Sequence, residues 1–209
     1  MFYNCSNLTT IYAGSNWDTA GVTSSSSMFA NCTSLVGGQG TAYNDANPKD
    51  KTYAHIDGGT SNPGYFTRDP NSPELYACYT PSNTTLTFYY DNQRDTRPGT
   101  TFSIYEGMDN PGWYSDGSSY GVTKVVFDPS FASARPTSTN HWFAEMYDLT
   151  SIEGMQYLNT SEVTNMASMF WECGALPAVD VSGFDTRKVT DMSAMFAECY
   201  ELTSRAVNS

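Results

Sequence analysis

Charge, histidine and long apolar runs are all scarce in this chain of 209 residues. Only 15% of it is Asp, Glu, Lys or Arg, and 22 acidic residues outnumber 10 basic ones for a formal net charge of −12. No run of Lys or Arg offsets that excess locally, so phosphate backbones and anionic lipid are repelled and nucleic acid is not expected as a partner. No stretch approaches the roughly 18 to 20 apolar residues that span a bilayer, and residues 1–20 lack the basic-then-apolar pattern of a secretory signal. Membrane insertion by this segment is therefore not expected. What is abundant is Ser, Thr, Asn and Gly, together with 15 Tyr and 11 Phe. That many aromatics argue against disorder, and the mixture favours short strands and many turns over a helical bundle.

The motifs of common catalytic sites are missing as well. His55 and His141 are the only histidines. His55 stands two residues before Asp57, but no Gly-x-Ser-x-Gly elbow accompanies them, and His-x-Asp in a glycine-rich stretch reads as a turn device. The run Gly37-Gly38-Gln39-Gly40 lacks the Lys-Ser/Thr and the helix of a phosphate loop and also reads as a turn. No Cys-x-x-Cys pair suggests zinc. Asp91, Asp95, Asp109 and Asp116 are candidate calcium ligands by residue type alone, because no EF-type loop or acidic-glycine repeat holds them, and solvated loop carboxylates are the default reading. The sequons at Asn4, Asn7, Asn31, Asn83 and Asn159 carry meaning only in a eukaryotic secretory pathway. An enzyme, a cofactor and a bound metal are all outside this expectation.

What the sequence does contain is a repeat. MFYNCSNL at Met1 recurs as MFANCTSL at Met28, WFAEMYDL at Trp142, MFWECGAL at Met169 and MFAECYEL at Met195, in steps of 27, then 27 and 26 after a long gap. A second block, DTAGVT, NTSEVT or DTRKVT, begins ten residues before three of them, at Asp18, Asn159 and Asp185. Apolar residues three and four apart (Met192, Met195, Phe196, Cys199) predict one or two helical turns, and the segment after each motif Leu predicts a short strand. A single unit cannot bury its own apolar face, whereas stacked units can, with strands about 4.7–4.9 Å apart. The expected fold class is α/β, a leucine-rich-repeat-like solenoid of 26–27-residue repeats interrupted by a small β-meander. Four of the five cysteines, Cys5, Cys32, Cys173 and Cys199, share one repeat position and read as a ladder of buried small hydrophobes, as Phe29, Phe170 and Phe196 share another. Stacked neighbours at this position leave disulfides as an alternative.

These residues resemble the BspA-like, lipoprotein-associated leucine-rich-repeat surface proteins of bacteria. DVSGFDTRKVTDMSAMFAECYELTS, from Asp180 to Ser204, is similar to a near-consensus copy of that family's repeat. Residues 35–67 resemble a segment that closes an array, and 85–102 and 124–143 one that opens the next. The resemblance implies an extracellular or cell-surface role in adhesion and partner binding, with a signal or anchor elsewhere. Because Met1 falls on the first motif residue and Ser209 inside an unfinished repeat, a fragment of a larger protein is expected.

Three segments follow from this reading: 1–67, the end of one array with its closing segment; 68–123, a β-meander junction; and 124–209, the start of a second array. In the first, Tyr53, Ile56, Tyr65 and Phe66 are the expected anchors of the closing segment. In the second, ELYACYT and TLTFYYD alternate as strands around the turn-prone PSN, TTFSIYE is a third candidate, and KVVFD leads into the second array. On each repeat strand the motif Leu and the residue three later are expected to point inward. The residue four later, namely Tyr12, Gln39, Glu153 and Asp180, then projects from the ladder face as a candidate partner-binding position. Tyr89 and Trp113 are alternative anchors on the meander. The expected function is a non-catalytic extracellular module for adhesion or protein–protein binding, with a host matrix or cell-surface protein as partner. The alternatives are a structural spacer and, from a different class, a carbohydrate-active enzyme.

Overall fold

At the motifs that begin at Met28, Trp142, Met169 and Met195 two residues take left-handed backbone angles, and they decide how the repeat folds. In the computed structural model, which describes residues 1–14, 17–104 and 110–206, the residue before the motif is one of them. Ser27, His141, Ser168 and Ala194 have φ of 53–57°, and the fourth motif residue, Asn4, Asn31, Glu145, Glu172 or Glu198, has φ of 57–63°. This region costs an L-residue other than glycine roughly 1–2 kcal/mol and ends any run of α-helical dihedrals. The chain therefore advances by successive turns. Met169 N–H donates to Met166 O, Trp171 to Ser168, and Cys173 to Phe170, each three residues back at 3.1–3.3 Å. The alternate N–H groups leave the unit: Ser168 donates to Ser193 O, Phe170 to Met195 O and Glu172 to Ala197 O at 2.8–2.9 Å. The preceding unit does the same one period earlier, His141, Phe143 and Glu145 reaching Ala167, Met169 and Trp171.

The helical turns expected at Met192, Met195, Phe196 and Cys199 are thus not formed. Spacings of three and four residues also arise from a succession of turns, and periodicity alone does not separate the two. Among the described residues the one α-helix is α1, Gly112–Ser115, and it lies outside the repeats.

Met1–Pro73 and Glu74–Ser209 are two compact units. In the first, β1 (Ile11–Ala13) pairs in parallel with β2 (Phe66–Arg68), and its core is Met28, Phe29, Cys32, Leu35, Ala54, Tyr65 and Phe66. Of the expected anchors of the closing segment, Tyr65 and Phe66 are fully buried, and Tyr53 and Ile56 pack against this core. In the second unit, β3 (Glu74–Thr80), β4 (Thr85–Asp91), β5 (Thr100–Ser103), β6 (Lys124–Phe127) and β7 (Ser151–Glu153) form one sheet in the order β5-β3-β4-β6-β7. Its β5-β3-β4 half is antiparallel and its β4-β6-β7 half parallel. A separate parallel pair joins β8 (Ala178–Asp180) to β9 (Ser204–Ala206).

The leucine-rich-repeat-like solenoid expected from the period is overturned by this arrangement. A five-stranded mixed sheet with an antiparallel half does not fit a continuous parallel ladder, and among the described residues the helices are one four-residue α-helix and short 3-10 turns. The physical reason lies in β4, whose alternating apolar residues serve two neighbours at once. It is a hairpin partner of β3 on one edge and a parallel partner of β6 on the other, so the expected meander is part of the sheet and not a separate junction packed on it.

Within each compact unit, side chains in register hold neighbouring repeats together. Phe143, Phe170 and Phe196 form a column with centroids 5.1 and 5.2 Å apart, the first pair tilted and the second stacked, and Phe2 stacks on Phe29 at 5.8 Å. Thr164 and Thr190 each send both N–H and Oγ1–H to one carbonyl of the preceding unit, at Thr137 and Thr164. In the second unit Phe88 is the hub, stacked on Phe127 at 4.7 Å and Trp142 at 5.0 Å and met edge-on by Trp113.

Ala194, exposed at φ 53°, tests the turn conformation by the sign of one substitution. Ala194→Gly relieves left-handed strain and is expected to raise stability by about 0.5–1 kcal/mol in urea unfolding. A helix at this position would instead lose about 1 kcal/mol.

Candidate interaction surface

The expected ladder positions divide between strands and a turn. Tyr12 is the central residue of β1 and is 64% exposed, while its neighbours Ile11 and Ala13 turn toward the core. Glu153 ends β7 and Asp180 ends β8, both exposed, each following an inward residue, Ile152 or Val179. Gln39 does not share this geometry: it lies on a turn between Gly38 and Gly40, and its N–H donates to Asp57 Oδ2 at 2.8 Å.

That turn is organised by Asp57, which is only 4% exposed. Its carboxylate accepts from the N–H groups of Gln39, Thr41, Gly59 and Gly64 and from Thr41 Oγ1 at 2.7–3.3 Å. Gly37 is required beside it, because a Cβ there would sit 2.2 Å from Gly64 O and 2.7 Å from Asp57 Oδ2. Burial opposes ionisation of Asp57, but the hydrogen bonds from Thr41, Gly59 and Gly64 outweigh it and hold the pKa down at about 2. His55 points elsewhere, its Nδ1 3.0 Å from Ile56 O. Asp57, without His55, is the clasp of the glycine-rich segment.

In the second unit, Glu153 belongs to the sheet face opposite Phe88. Strand register sets Thr101, Cys78, Thr87, Val126 and Glu153 in one row across it. The β5 end of the face is covered by the 92–99 segment. Arg94 reaches Ser103 Oγ and Glu74 Oε2 at 2.5 and 3.4 Å, and Arg97 pairs with Asp91, donates to Tyr76 Oη at 2.9 Å and lies 3.7 Å over the Tyr89 ring. Tyr89 is thus a half-buried platform that contacts both Tyr76, on which it stacks, and Arg97. Burial and the Asp91 carboxylate push the Tyr76 phenol well above its ordinary pKa. The β7 end is open, with Thr87 and Val126 half-exposed and Lys124 Nζ paired to Glu153 at 2.7 Å. Alternation places Tyr76, Tyr89 and Asp91 on one face, but nothing in the sequence indicates that Arg94 and Arg97 fold back over it.

Trp113 is not a surface anchor: it is fully buried and donates through Nε1 to Trp142 O at 2.8 Å. No disulfide joins any of the four repeat cysteines or Cys78. Cys32, Cys173 and Cys199 each donate to the Phe carbonyl of the preceding unit, Phe2, Phe143 and Phe170, at 2.8–3.1 Å. Burial pushes the thiol pKa of Cys32 and Cys173 up. Cys5 departs from the expected buried ladder and is exposed. Phe29 and Phe170 are fully buried, Phe196 half-buried. Of the acids considered for calcium, Asp91 is held by Arg97 and Tyr76, Asp95 is exposed, Asp116 accepts from Ser118 N–H, and Asp109 lies outside the described residues. Among the described residues no group of three or more His, Cys, Asp or Glu side chains is placed to hold a metal ion.

Asp57 carries a pH test. Its pKa is depressed from the usual 3.8 to about 2, so its contribution is complete above pH 4 and is lost as pH falls through about 2, with a magnitude on the order of 2 kcal/mol. Asp57→Asn is expected to cost about 3 kcal/mol at neutral pH, and its stability gap to the parent chain narrows between pH 4 and pH 2 in urea titrations. A gap independent of pH would refute the ionised clasp.

No curated protein and no solved structure matches the chain. The family model described as "Mycoplasma protein of unknown function, DUF285" matches residues 1–52 and 137–208. These two stretches hold all five copies of the motif and make up more than half of the sequence, so the chain belongs to the DUF285 family.

Proposed function

We propose that this chain is a non-catalytic binding module of a bacterial surface protein, working in adhesion or protein–protein contact. The observation that carries the reading is the placement of Tyr12, Glu153 and Asp180. Each is exposed at a strand position whose neighbour is anchored inward, so a variable side chain is presented on a backbone fixed by hydrogen bonds. Recognition benefits from such a frame, because little conformational entropy remains to be lost on binding. The resemblance to BspA-like surface proteins supports an extracellular setting and a host matrix or cell-surface protein as partner. Among the described residues no helix is long and apolar enough to cross a membrane.

Surface plasmon resonance against purified extracellular-matrix proteins tests the proposal. Binding to at least one, weakened about tenfold by Glu153→Ala with Asp180→Ala, is the expected result. Equal binding by the variants would remove the strand-end positions from the site. Absence of binding to every matrix protein would favour the spacer.

A further inference from the structure

The fourth motif residue is glutamate in all three units of the second stretch, and these glutamates meet a group of exposed tyrosines. Glu145, Glu172 and Glu198 occupy the left-handed position, and their turns are tied directly to one another, Glu145 N–H to Trp171 O and Glu172 N–H to Ala197 O. Three carboxylates are thereby held on adjacent rungs, an arrangement that like-charge repulsion disfavours. Among the described residues no Lys or Arg forms an ion pair with them. Their partners are phenols: Tyr114 Oη donates to Glu145 Oε1 at 2.9 Å and Tyr200 Oη to Glu198 Oε2 at 3.0 Å. The Glu145 and Glu172 carboxylates push the phenols of Tyr120 and Tyr147, respectively, above their ordinary pKa.

The rings themselves are open to solvent. Tyr120 and Tyr147 are 52% and 45% exposed and stack at 5.8 Å with an 18° angle between planes, and Tyr200 is 79% exposed. Large exposed aromatics gathered in one row mark interaction surfaces more often than scattered ones do. Both parts of this row favour the same kind of ligand. The face of a phenol ring attracts cations, and so do carboxylates that lack a basic partner.

We propose that the Tyr120–Tyr147 pair and the Glu145–Glu172–Glu198 row form a docking surface for a Lys- or Arg-rich segment of a partner protein. Charge complementarity selects this occupant: the row is acidic within a chain of net charge −12, so a basic segment is steered toward it and then held by ring faces and carboxylates together. Guanidinium or ammonium groups compete for the carboxylates now satisfied by tyrosine hydroxyls. The residues of this surface are other than the strand positions Tyr12, Glu153 and Asp180, and the proposal stands or falls independently of them.

Fluorescence anisotropy with a labelled peptide of alternating Arg and Gly tests it on the whole chain. Tyr120→Ala with Tyr147→Ala leaves net charge unchanged and is expected to weaken binding about tenfold. Tyr120→Phe with Tyr147→Phe keeps the rings and should bind at least as tightly as the parent, which separates lost recognition from lost folding. Glu145→Gln with Glu172→Gln should weaken binding at least tenfold, while Asp18→Asn with Asp95→Asn, which removes the same charge elsewhere, should change it less than twofold. Equal losses in the two charge-neutralised pairs, or no loss in the Tyr→Ala pair, would overturn the proposal. So would a neutral oligosaccharide whose binding the Tyr→Ala pair abolishes while peptide binding is unaffected.

Discussion

The fold rests on a backbone constraint: the alternation of local and outward N–H groups that two left-handed residues impose on each motif. Without them the stretch from Met166 to Cys173 would satisfy its own donors as a helix, and nothing would tie one unit to the next. With them, every second N–H becomes an inter-unit bond, and the unit is stable only beside a neighbour. A strained local conformation is tolerated because the neighbour over-determines it, which is how such strain persists in folded proteins. Asn at this position in the first unit suits the left-handed region; Glu in the second does not, and its repeated use there calls for another reason.

The side-chain columns are consequences of that ladder. Because each backbone step is reproduced 26 or 27 residues later, Phe falls on Phe, Thr on Thr, and the Cys thiol on the carbonyl of the preceding Phe. The repeated geometry gives the small thiol a second use beyond filling space, since it adds a donor to a carbonyl that already accepts an N–H from its own turn. It also accounts for cysteines of adjacent repeats that form no disulfide: the sulfurs of Cys32, Cys173 and Cys199 are directed at a carbonyl of the preceding repeat.

Much of this was legible in the residues. The period, the two strands ELYACYT and TLTFYYD, and the turn character of the glycine-rich segment all follow from alternation, spacing and turn residues, and β3 and β4 occupy those very stretches. The helical reading of Met192 to Cys199 failed because a three-and-four spacing is shared by helices and by successive turns. The solenoid reading failed with it, because which edge β4 offers to β6 is a tertiary matter that periodicity does not express. Gln39 was placed by counting from Leu35, and counting fails where Asp57 draws the chain into a turn. Trp113 looked like an exposed anchor only because aromatic side chains in loop sequence carry no sign of burial; its indole N–H is matched to Trp142 O, a contact between residues 29 apart.

The functional reading inherits its strength from the backbone account, since exposed residues act as a recognition surface only if the frame beneath them is fixed. The central claim is that alternate amides of the motif bond across units. Through-hydrogen-bond NMR couplings measure this directly: the account predicts couplings from the Phe170 and Glu172 amides to the carbonyls of Met195 and Ala197, whereas couplings to carbonyls four residues back within the same unit would contradict it.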